Sequence, residues 1–213
     1  NHPSIVVWVP YNEGWGQYDT KKIVDYVKEL DPTRLINNAS GWTDKGFGHI
    51  LDVHHYPDPI APEAEENRAI VLGEFGGLGL PIKDHIWQED KNWGYENMEG
   101  PESLLIKYES FYTKITELIE KPGLSAVVYT QTTDVEIETN GLLTYDRKID
   151  KMGKENIRKA HLGYIPPTLV NPITEFIGSY SIMLSSSKSD AKIHYTLDGS
   201  IPGYTSKLYT YPV

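Results

Sequence analysis

Polar side chains that could do chemistry follow apolar runs at three places in the sequence. They are Asn12 and Glu13 in VVWVPYNEG, His54, His55 and Tyr56 in ILDVHHY, and Glu74 in AIVLGEFGG. Because the carboxyl ends of parallel strands meet at one edge of a sheet or barrel, we expect these side chains to converge. Two carboxylates about 5 Å apart can break a glycosidic bond, one as acid and then base, the other as nucleophile. A single glutamate after a strand is more often a solvated loop residue, but two that are each followed by glycine favour chemistry.

Alternating strands and helices are predicted to position these groups over residues 4–163. Five runs have the continuous apolar character of strands covered on both faces. They span residues 4–10, 34–39, 50–56, 69–75 and 124–131. Helical periodicity is found over 19–31, with Asp19 or Thr20 as the cap, from Pro101 to 119, and over 153–163. The βαβα order predicts a parallel sheet.

Two further segments do not follow this alternation. Residues 75–100 form a long stretch rich in glycine, tryptophan and charge, for which we predict a binding role, since such long loops in compact domains are usually functional or disordered. After a predicted boundary near 165–172, short alternating β patterns follow, with Asp198 and Gly199 as a hairpin turn.

The composition narrows the function. The chain has 213 residues, is 39% hydrophobic, contains no cysteine and carries a formal charge of -10, so we expect neither a nucleic-acid partner nor disulfides. No apolar run approaches the roughly 18 residues of a membrane span, and we expect no membrane partner. The excess of 15 Tyr and 5 Trp over 4 Phe suits clefts that bind sugars, although amphipathic aromatics at ordinary core edges would give the same bias.

Four segments taken together resemble the catalytic domain of glycoside hydrolase family 2, the group of β-galactosidases, β-glucuronidases and β-mannosidases. They are NHPSIVVWVPYNEGWG, NASGWTDKGFGHILDVHHYPDP, VLGEFGG and VVYTQTTDVEIETNGLLTYDRK. The resemblance implies a retaining, β-galactosidase-like glycosidase acting on a β-linked oligosaccharide or glycoside without a cofactor. It further implies that Glu13 is the acid/base, that Glu74 is the nucleophile, and that Asn12 binds the sugar 2-hydroxyl.

The remaining site residues are assigned less directly. His55 and Tyr56 end the predicted sixth barrel strand, where the family usually presents a tyrosine near the nucleophile, and Tyr56 is preferred. Tyr129 and Gln131 stand near the place where many relatives carry a tryptophan platform. We also expect Trp42 and Trp87 to contact substrate, although loop packing explains Trp42 equally well. A metal site formed by Asp52, His54 and His55 is disfavoured because adjacent strand residues point to opposite faces, and no metal is expected.

The resemblance also implies a domain organisation. The predicted fold is α/β, with residues 1–165 as strands four to eight of a partial (β/α)8 TIM barrel and residues 166–213 as a partial β-sandwich-like module. KIHYTLDGSIPGYTSKLYTYPV resembles the C-terminal module of chitobiases and β-hexosaminidases. We therefore expect a fragment that is weakly active or inactive alone and self-associates through open sheet edges. A secreted or periplasmic parent protein is expected.

Two other functional classes were weighed. A non-catalytic carbohydrate-binding or structural module would use the same aromatic residues and keep the carboxylates without turnover. A doubly wound nucleotide-binding protein is poorly supported, because no strand is followed by a GxGxxG loop that opens a helix. The identity of the sugar stays open, since fold-level resemblance does not determine specificity.

Overall fold

A computed structural model describes residues 2–162, 167–172, 175, 178–186, 191–200, 202 and 205–213. The chain divides into two compact units, residues 1–163 and 164–213. The domain boundary predicted near 165–172 falls partly on residues 163–166, which lie outside the described residues. Within the described part of the chain, no helix has both the length and the apolar character needed to cross a membrane.

The first unit contains three helices and seven strands among its described residues. The strands are β1 (Val7–Trp8), β2 (Leu35–Ile36), β3 (Ile50–His55), β4 (Ala69–Gly76), β5 (Leu78–Gly79), β6 (Glu96–Asn97) and β7 (Ala126–Thr130). The helices are α1 (Thr20–Leu30), α2 (Pro101–Glu120) and α3 (Lys154–His161). All three predicted helices are therefore confirmed. The predicted cap of α1 is wrong in detail, because Asp19 occupies the cap position without a side-chain hydrogen bond.

Parallel pairing is confirmed for the main strands, which form two separate sheets. β1 pairs with β2, and β3, β4 and β7 form a three-stranded parallel sheet in that order. β1 and β2 are only two residues long, much shorter than the runs predicted for them. The unit is mixed α/β, and across the described residues its sheets do not close into a barrel.

The core lies between the three-stranded sheet and α2. Pro101 occupies the first helical position, where it loses no hydrogen bond, and α2 runs for 20 residues before Pro122. Its apolar face meets β4, as shown by the edge-to-face contact of Phe75 and Phe111, whose ring centroids are 5.9 Å apart. The buried cluster comprises Ile70, Leu72, Phe75, Leu78, Leu80, Leu104, Tyr108, Phe111, Ile115, Leu124, Met152 and Ala160. The packing of β4 against α2 thus holds in place the strand that carries Glu74.

The segment of residues 75–100 is partly ordered as a small parallel pair, which the sequence did not predict. β5 pairs with β6, and their backbones approach so closely at Gly79 and Gly94 that a Cβ on Gly94 would lie 2.5 Å from the Gly79 backbone. Side chains at both positions would keep these segments apart.

The second unit is described by two antiparallel pairs of short strands. β8 (Thr168–Leu169) pairs with β9 (Leu184–Ser185), and β10 (His194–Tyr195) pairs with β11 (Lys207–Leu208). Asp198 and Gly199 lie in the connection between β10 and β11, where Asp198 Oδ1 accepts a hydrogen bond from the Ser200 N–H at 3.0 Å. Among its described residues, none is buried.

Candidate active site

The ends of β3 and β4 bring the polar groups of both strands together. Along β3, buried and half-buried residues alternate, so that Asp52 and His54 occupy the same face. The register between the strands shifts between Val53 and His54, which places His54 opposite Glu74. This irregularity at the strand end is typical of bulges that re-aim side chains near active sites.

Glu13 and Glu74 lie on either side of the His54 ring. His54 Nδ1 is 3.2 Å from Glu13 Oε1 and 3.4 Å from Glu74 Oε2. One oxygen of each carboxylate and the imidazole nitrogen lie within 4.8 Å of one another. Since carboxylates can only accept hydrogen bonds when ionised, Nδ1 carries the proton that faces them. One Glu13 oxygen thus lies within 4.8 Å of one Glu74 oxygen, which is compatible with the roughly 5 Å between the carboxyl groups of retaining glycosidases.

Glu13 is positioned by a turn that follows β1. Its φ of 53° lies in the left-handed region, as do those of Gly14 and Gly16, so the chain reverses sharply there. The Glu13 N–H donates to the Ser40 carbonyl at 2.8 Å, and the Ser40 hydroxyl donates to Asn12 Oδ1 at 2.7 Å. The loop after β2 therefore holds both Asn12 and Glu13 in place.

The His54 ring is held tightly by its surroundings. His54 is only 3% exposed, and a Cβ on Gly41 would lie 2.4 Å from its ring, so this position requires the small residue. Trp42 packs edge to face against the ring at 6.0 Å. Asp52 Oδ1 is 4.0 Å from His54 Nε2, and Asn37 Nδ2 donates to Asp52 Oδ2 at 2.5 Å. A buried polar network thus lies behind the glutamate pair.

Glu74 has a second partner at the end of β3. The Tyr56 hydroxyl donates to Glu74 Oε2 at 2.5 Å and lies 3.0 Å from Thr130 Oγ1 at the end of β7. Burial and the neighbouring Glu74 carboxylate raise the pKa of the Tyr56 phenol, so it keeps its proton and acts as a donor. The nucleophile candidate is therefore oriented by groups from two neighbouring strands.

The protonation of Glu13 differs from what a general acid at rest requires. Burial opposes ionisation, but the contact with His54 and the neighbouring indoles of Trp42 and Trp15 outweigh it and lower the pKa of Glu13 below 4.5. At neutral pH Glu13 is therefore ionised in the free protein. A general acid that keeps its proton at rest would need a raised pKa, whereas the polar groups around Glu13 lower it.

The other predicted substrate contacts are placed unevenly. Trp42 lies beside His54, whereas His55 Nδ1 lies 2.7 Å from the Asp58 carbonyl and Trp87 stacks at a tilt on Tyr145 at 5.1 Å. His55 and Trp87 are thus directed to neighbouring loop groups. Of the two histidines, the structure places His54 between the glutamates, whereas the contact of His55 with substrate stays a prediction.

The end of β7 also departs from expectation. The Tyr129 ring packs edge to face on Phe75 at 5.6 Å, and its hydroxyl accepts from the Leu78 N–H, so this side chain belongs to the core. Thr130, which the sequence analysis did not single out, supplies the contact to Tyr56 instead. Gln131 donates through Nε2 to Asn140 Oδ1 at 2.9 Å, within the loop that follows.

A sequence pattern for these missed residues exists. Residues two apart on a strand share a face, so the choice of Tyr56 also selects His54 and excludes His55. The same alternation separates Thr130 from Tyr129. Ser40 and Asn37 carry no such pattern, because their contacts cross from the segment after β2 to other strands.

The same three side chains are also the group best able to hold a metal ion. Glu13, His54 and Glu74 are the one cluster of three or more such ligands found within the described ranges, and each offers one ligand atom. No fourth protein ligand is part of this cluster. Two carboxylates in contact with one histidine are also suited to acid–base chemistry, which requires no ion.

Comparison with known families covers both units. Residues 1–69 match the model of the glycosyl hydrolases family 2 TIM barrel domain, and residues 182–213 match the Fn3 associated family. No curated protein matches the chain. The first match spans about a third of the chain and contains Asn12, Glu13, His54 and Tyr56, whereas Glu74 and Thr130 lie outside it. It shows that residues 1–69 are similar to the glycosyl hydrolase family 2 TIM barrel domain.

Proposed function

We propose that this protein is a retaining β-glycosidase with β-galactosidase-like specificity, in which Glu74 is the nucleophile and Glu13 is the acid/base. The observation that carries the proposal is that one oxygen of Glu13 and one of Glu74 lie within 4.8 Å of each other, both in contact with the buried His54. A pair at this spacing leaves no room for a water between the carboxylate and the sugar, as an inverting enzyme would need.

The reaction follows from the two positions. A Glu74 oxygen forms a bond to the anomeric carbon while the bond to the leaving-group oxygen breaks and Glu13 gives that oxygen its proton. Glu13, now ionised, takes a proton from water, whose oxygen attacks the same carbon and releases Glu74. The first step leaves Glu13 ionised, as the second step requires, and the second step returns the proton to Glu13 and frees Glu74 for the next cycle.

The neighbours of the pair support these roles. The Tyr56 hydroxyl holds one oxygen of Glu74 and thereby fixes the direction of attack. Because Asn12 Oδ1 accepts from Ser40, the amide is oriented with Nδ2 as the group left to donate to a sugar hydroxyl. In the free protein the ionised Glu13 is prepared for its role as a base, and binding of a sugar that excludes water favours its protonated form.

The roles can be tested by chemical rescue with 2,4-dinitrophenyl β-D-galactoside, β-D-glucoside and β-D-mannoside. These substrates need no acid to expel the leaving group, so the weak activity expected of this chain is measurable with them at high protein concentration. Glu74→Gly should abolish turnover, and added azide should restore it by occupying the space of the lost carboxylate, giving the α-glycosyl azide. Glu13→Gly should form the glycosyl-enzyme, release it slowly and give the β-glycosyl azide.

The expected loss for Glu13→Gly on the hydrolytic step is roughly 10²- to 10⁴-fold, the usual contribution of a general base. Glu109→Gln, on α2, serves as the control for a change of one exposed carboxylate and should leave rates unchanged. Azide products of the opposite configuration would reverse the roles. Sugar binding with neither turnover nor rescue would instead favour a carbohydrate-binding module.

A further inference from the structure

An aromatic surface adjoins the nucleophile candidate. The rings of Tyr56 and Tyr95 are stacked with centroids 3.6 Å apart and an interplanar angle of 3°. Trp93 packs edge to face on Tyr95 at 5.3 Å. Trp93 and Tyr95 remain 38% and 48% exposed, although both are in ring contact. Large aromatic rings that are fixed but still open to solvent are candidates for binding a ligand.

The backbone around these rings is held by two neighbouring segments. Trp93 pairs with Glu138 in a parallel bridge, the Trp93 N–H donates to the Ile137 carbonyl at 2.9 Å, and the Thr139 N–H donates to the Trp93 carbonyl at 2.9 Å. The Tyr95 N–H donates to the Gly77 carbonyl at 2.8 Å. The aromatic surface is therefore preformed, which lowers the entropy that a ligand must overcome.

Gly77 shows how closely the segments fit. Its φ is 63°, and a Cβ there would lie 2.4 Å from the Tyr95 ring and 3.2 Å from the Tyr56 ring. Glycine at this position allows the chain after β4 to turn beneath both rings. The stack is thus tied directly to the strand that presents Glu74.

Glu138 adds a polar group to the aromatic surface. Its Oε1 accepts from Asn140 Nδ2 at 2.8 Å, and Asn140 Oδ1 accepts from Gln131 Nε2. One carboxylate oxygen is therefore fixed by the loop, and the other is left as an acceptor. Burial, and then the Glu138 charge, raise the pKa of the Tyr95 phenol, which places that charge near the ring.

This combination selects a chemical class of ligand. Aromatic faces match the apolar C–H faces of a sugar ring, and a carboxylate accepts hydrogen bonds from sugar hydroxyls. Glu13, Glu74 and Glu138 together make the surroundings negative. Among the contacts of the described residues, no lysine or arginine forms an ion pair or hydrogen bond with any of these three. An anionic sugar would be repelled.

We propose that Trp93, Tyr95 and Glu138, here called the aromatic wall, bind an uncharged sugar ring beside Glu74, and that Glu138 discriminates against uronic acids. This inference rests on the proposed glycosidase function for the position of the sugar. It names the residues that would favour a neutral sugar over an anionic one, and these residues lie outside the glutamate pair.

The test measures binding by the full chain in a Glu74→Gln background, which keeps the sugar intact. The probes are methyl β-D-galactoside and methyl β-D-galacturonide, which differ in charge, and affinity is followed by ligand-observed NMR titration. Trp93→Ala and Tyr95→Ala should each weaken binding of the galactoside by roughly 2- to 12-fold. Tyr26→Ala, an exposed tyrosine on α1, is the matched control and should change nothing.

Glu138→Gln keeps the shape of the wall and removes its charge. It should raise the ratio of the galacturonide affinity to the galactoside affinity on the order of fivefold. An unchanged preference between the two probes would overturn the role of Glu138. The proposed role of the aromatic wall would be refuted if neither aromatic substitution changed galactoside binding. It would also be refuted if the Glu74→Gln protein without further changes did not bind the galactoside.

The outcomes also separate this inference from the proposed function. If azide rescue fails but the wall variants weaken galactoside binding, the sugar-binding role of the aromatic wall is supported and the catalytic roles of the glutamates are refuted. If azide rescue succeeds and the wall variants bind the galactoside with unchanged affinity, the catalytic roles of the glutamates are supported and the sugar-binding role of the wall is refuted.

Discussion

The two candidate catalytic glutamates are held by different kinds of structure. Glu74 lies within β4, an eight-residue strand, and the residue that follows it in this strand, Phe75, is fully buried against α2. Glu13 lies in a left-handed turn after a two-residue strand, and hydrogen bonds from the loop after β2 hold it. Packing therefore fixes the nucleophile side, whereas polar contacts fix the acid/base side. The first depends on apolar area and volume, and the second on individual donors and acceptors.

The largest expected effect comes from the packed side. Phe75→Ala removes a fully buried ring from the core behind Glu74 and should lower the free energy of unfolding by about 3–5 kcal/mol. Leu35→Ala, on β2, which pairs with the strand that precedes Glu13, removes an apolar side chain that is 47% exposed and should cost about 0.5 kcal/mol. Denaturant unfolding measures both, and equal losses would contradict the contrast between the two sides.

A smaller effect is expected where the two sides meet at His54. Gly41→Ala should place a methyl group against the buried imidazole, adding about 1–3 kcal/mol of overpacking to the cost of a left-handed alanine. Gly46→Ala is the matched control, because its φ is also 76° and a Cβ there would meet no atom within 4 Å. The difference between the two variants in unfolding free energy isolates the contact with His54. If both variants lost the same unfolding free energy, the His54 ring would be able to move away from the added methyl group without cost.

The smallest effect on stability, and the most specific, is expected on the polar side. Trp42→Phe removes the indole N–H that helps to lower the pKa of Glu13, so this pKa should rise toward 4.5. The carboxyl resonance of Glu13 in protein labelled with ¹³C-glutamate, assigned with Glu13→Gln, follows this titration. Trp8→Phe, which removes the donor to Asp31 instead, should leave the Glu13 titration unchanged.

The sign of the linked stability follows from the lowered pKa. Donors that hold the ionised Glu13 stabilise the fold above the pKa of the unfolded carboxyl and lose this contribution as the pH falls through the lower pKa of the folded state. Trp42→Phe should therefore lower the free energy of unfolding at neutral pH. The difference in this free energy between neutral and acidic pH should become smaller. A titration of Glu13 that Trp42→Phe leaves unmoved would show that the indole is not a donor.

Much of the fold was predictable from local patterns. The apolar stripe from Pro101 onward predicts α2, and the runs at residues 50–56 and 69–75 predict β3 and β4, because burial imposes a clear period on each. The short β5 and β6 pair was missed, since it depends on the contact of Gly79 with Gly94 rather than on any repeating pattern. β1 and β2 were predicted too long for the related reason that an apolar run does not determine how many residues find a partner.

The sequence by itself determined which chemical groups are available: Glu13 and Glu74, each following an apolar run, with Asn12 and Tyr56 close in the chain to one of those runs. The tertiary structure decided which groups meet. A register shift of one position put His54 between the glutamates, and the alternation along β7 turned Thr130 toward Tyr56 and Tyr129 into the core. It also decided the direction of the Glu13 pKa shift, because the pKa of a carboxyl is set by the polar groups around it, and two of these, His54 and Trp42, are distant in the sequence.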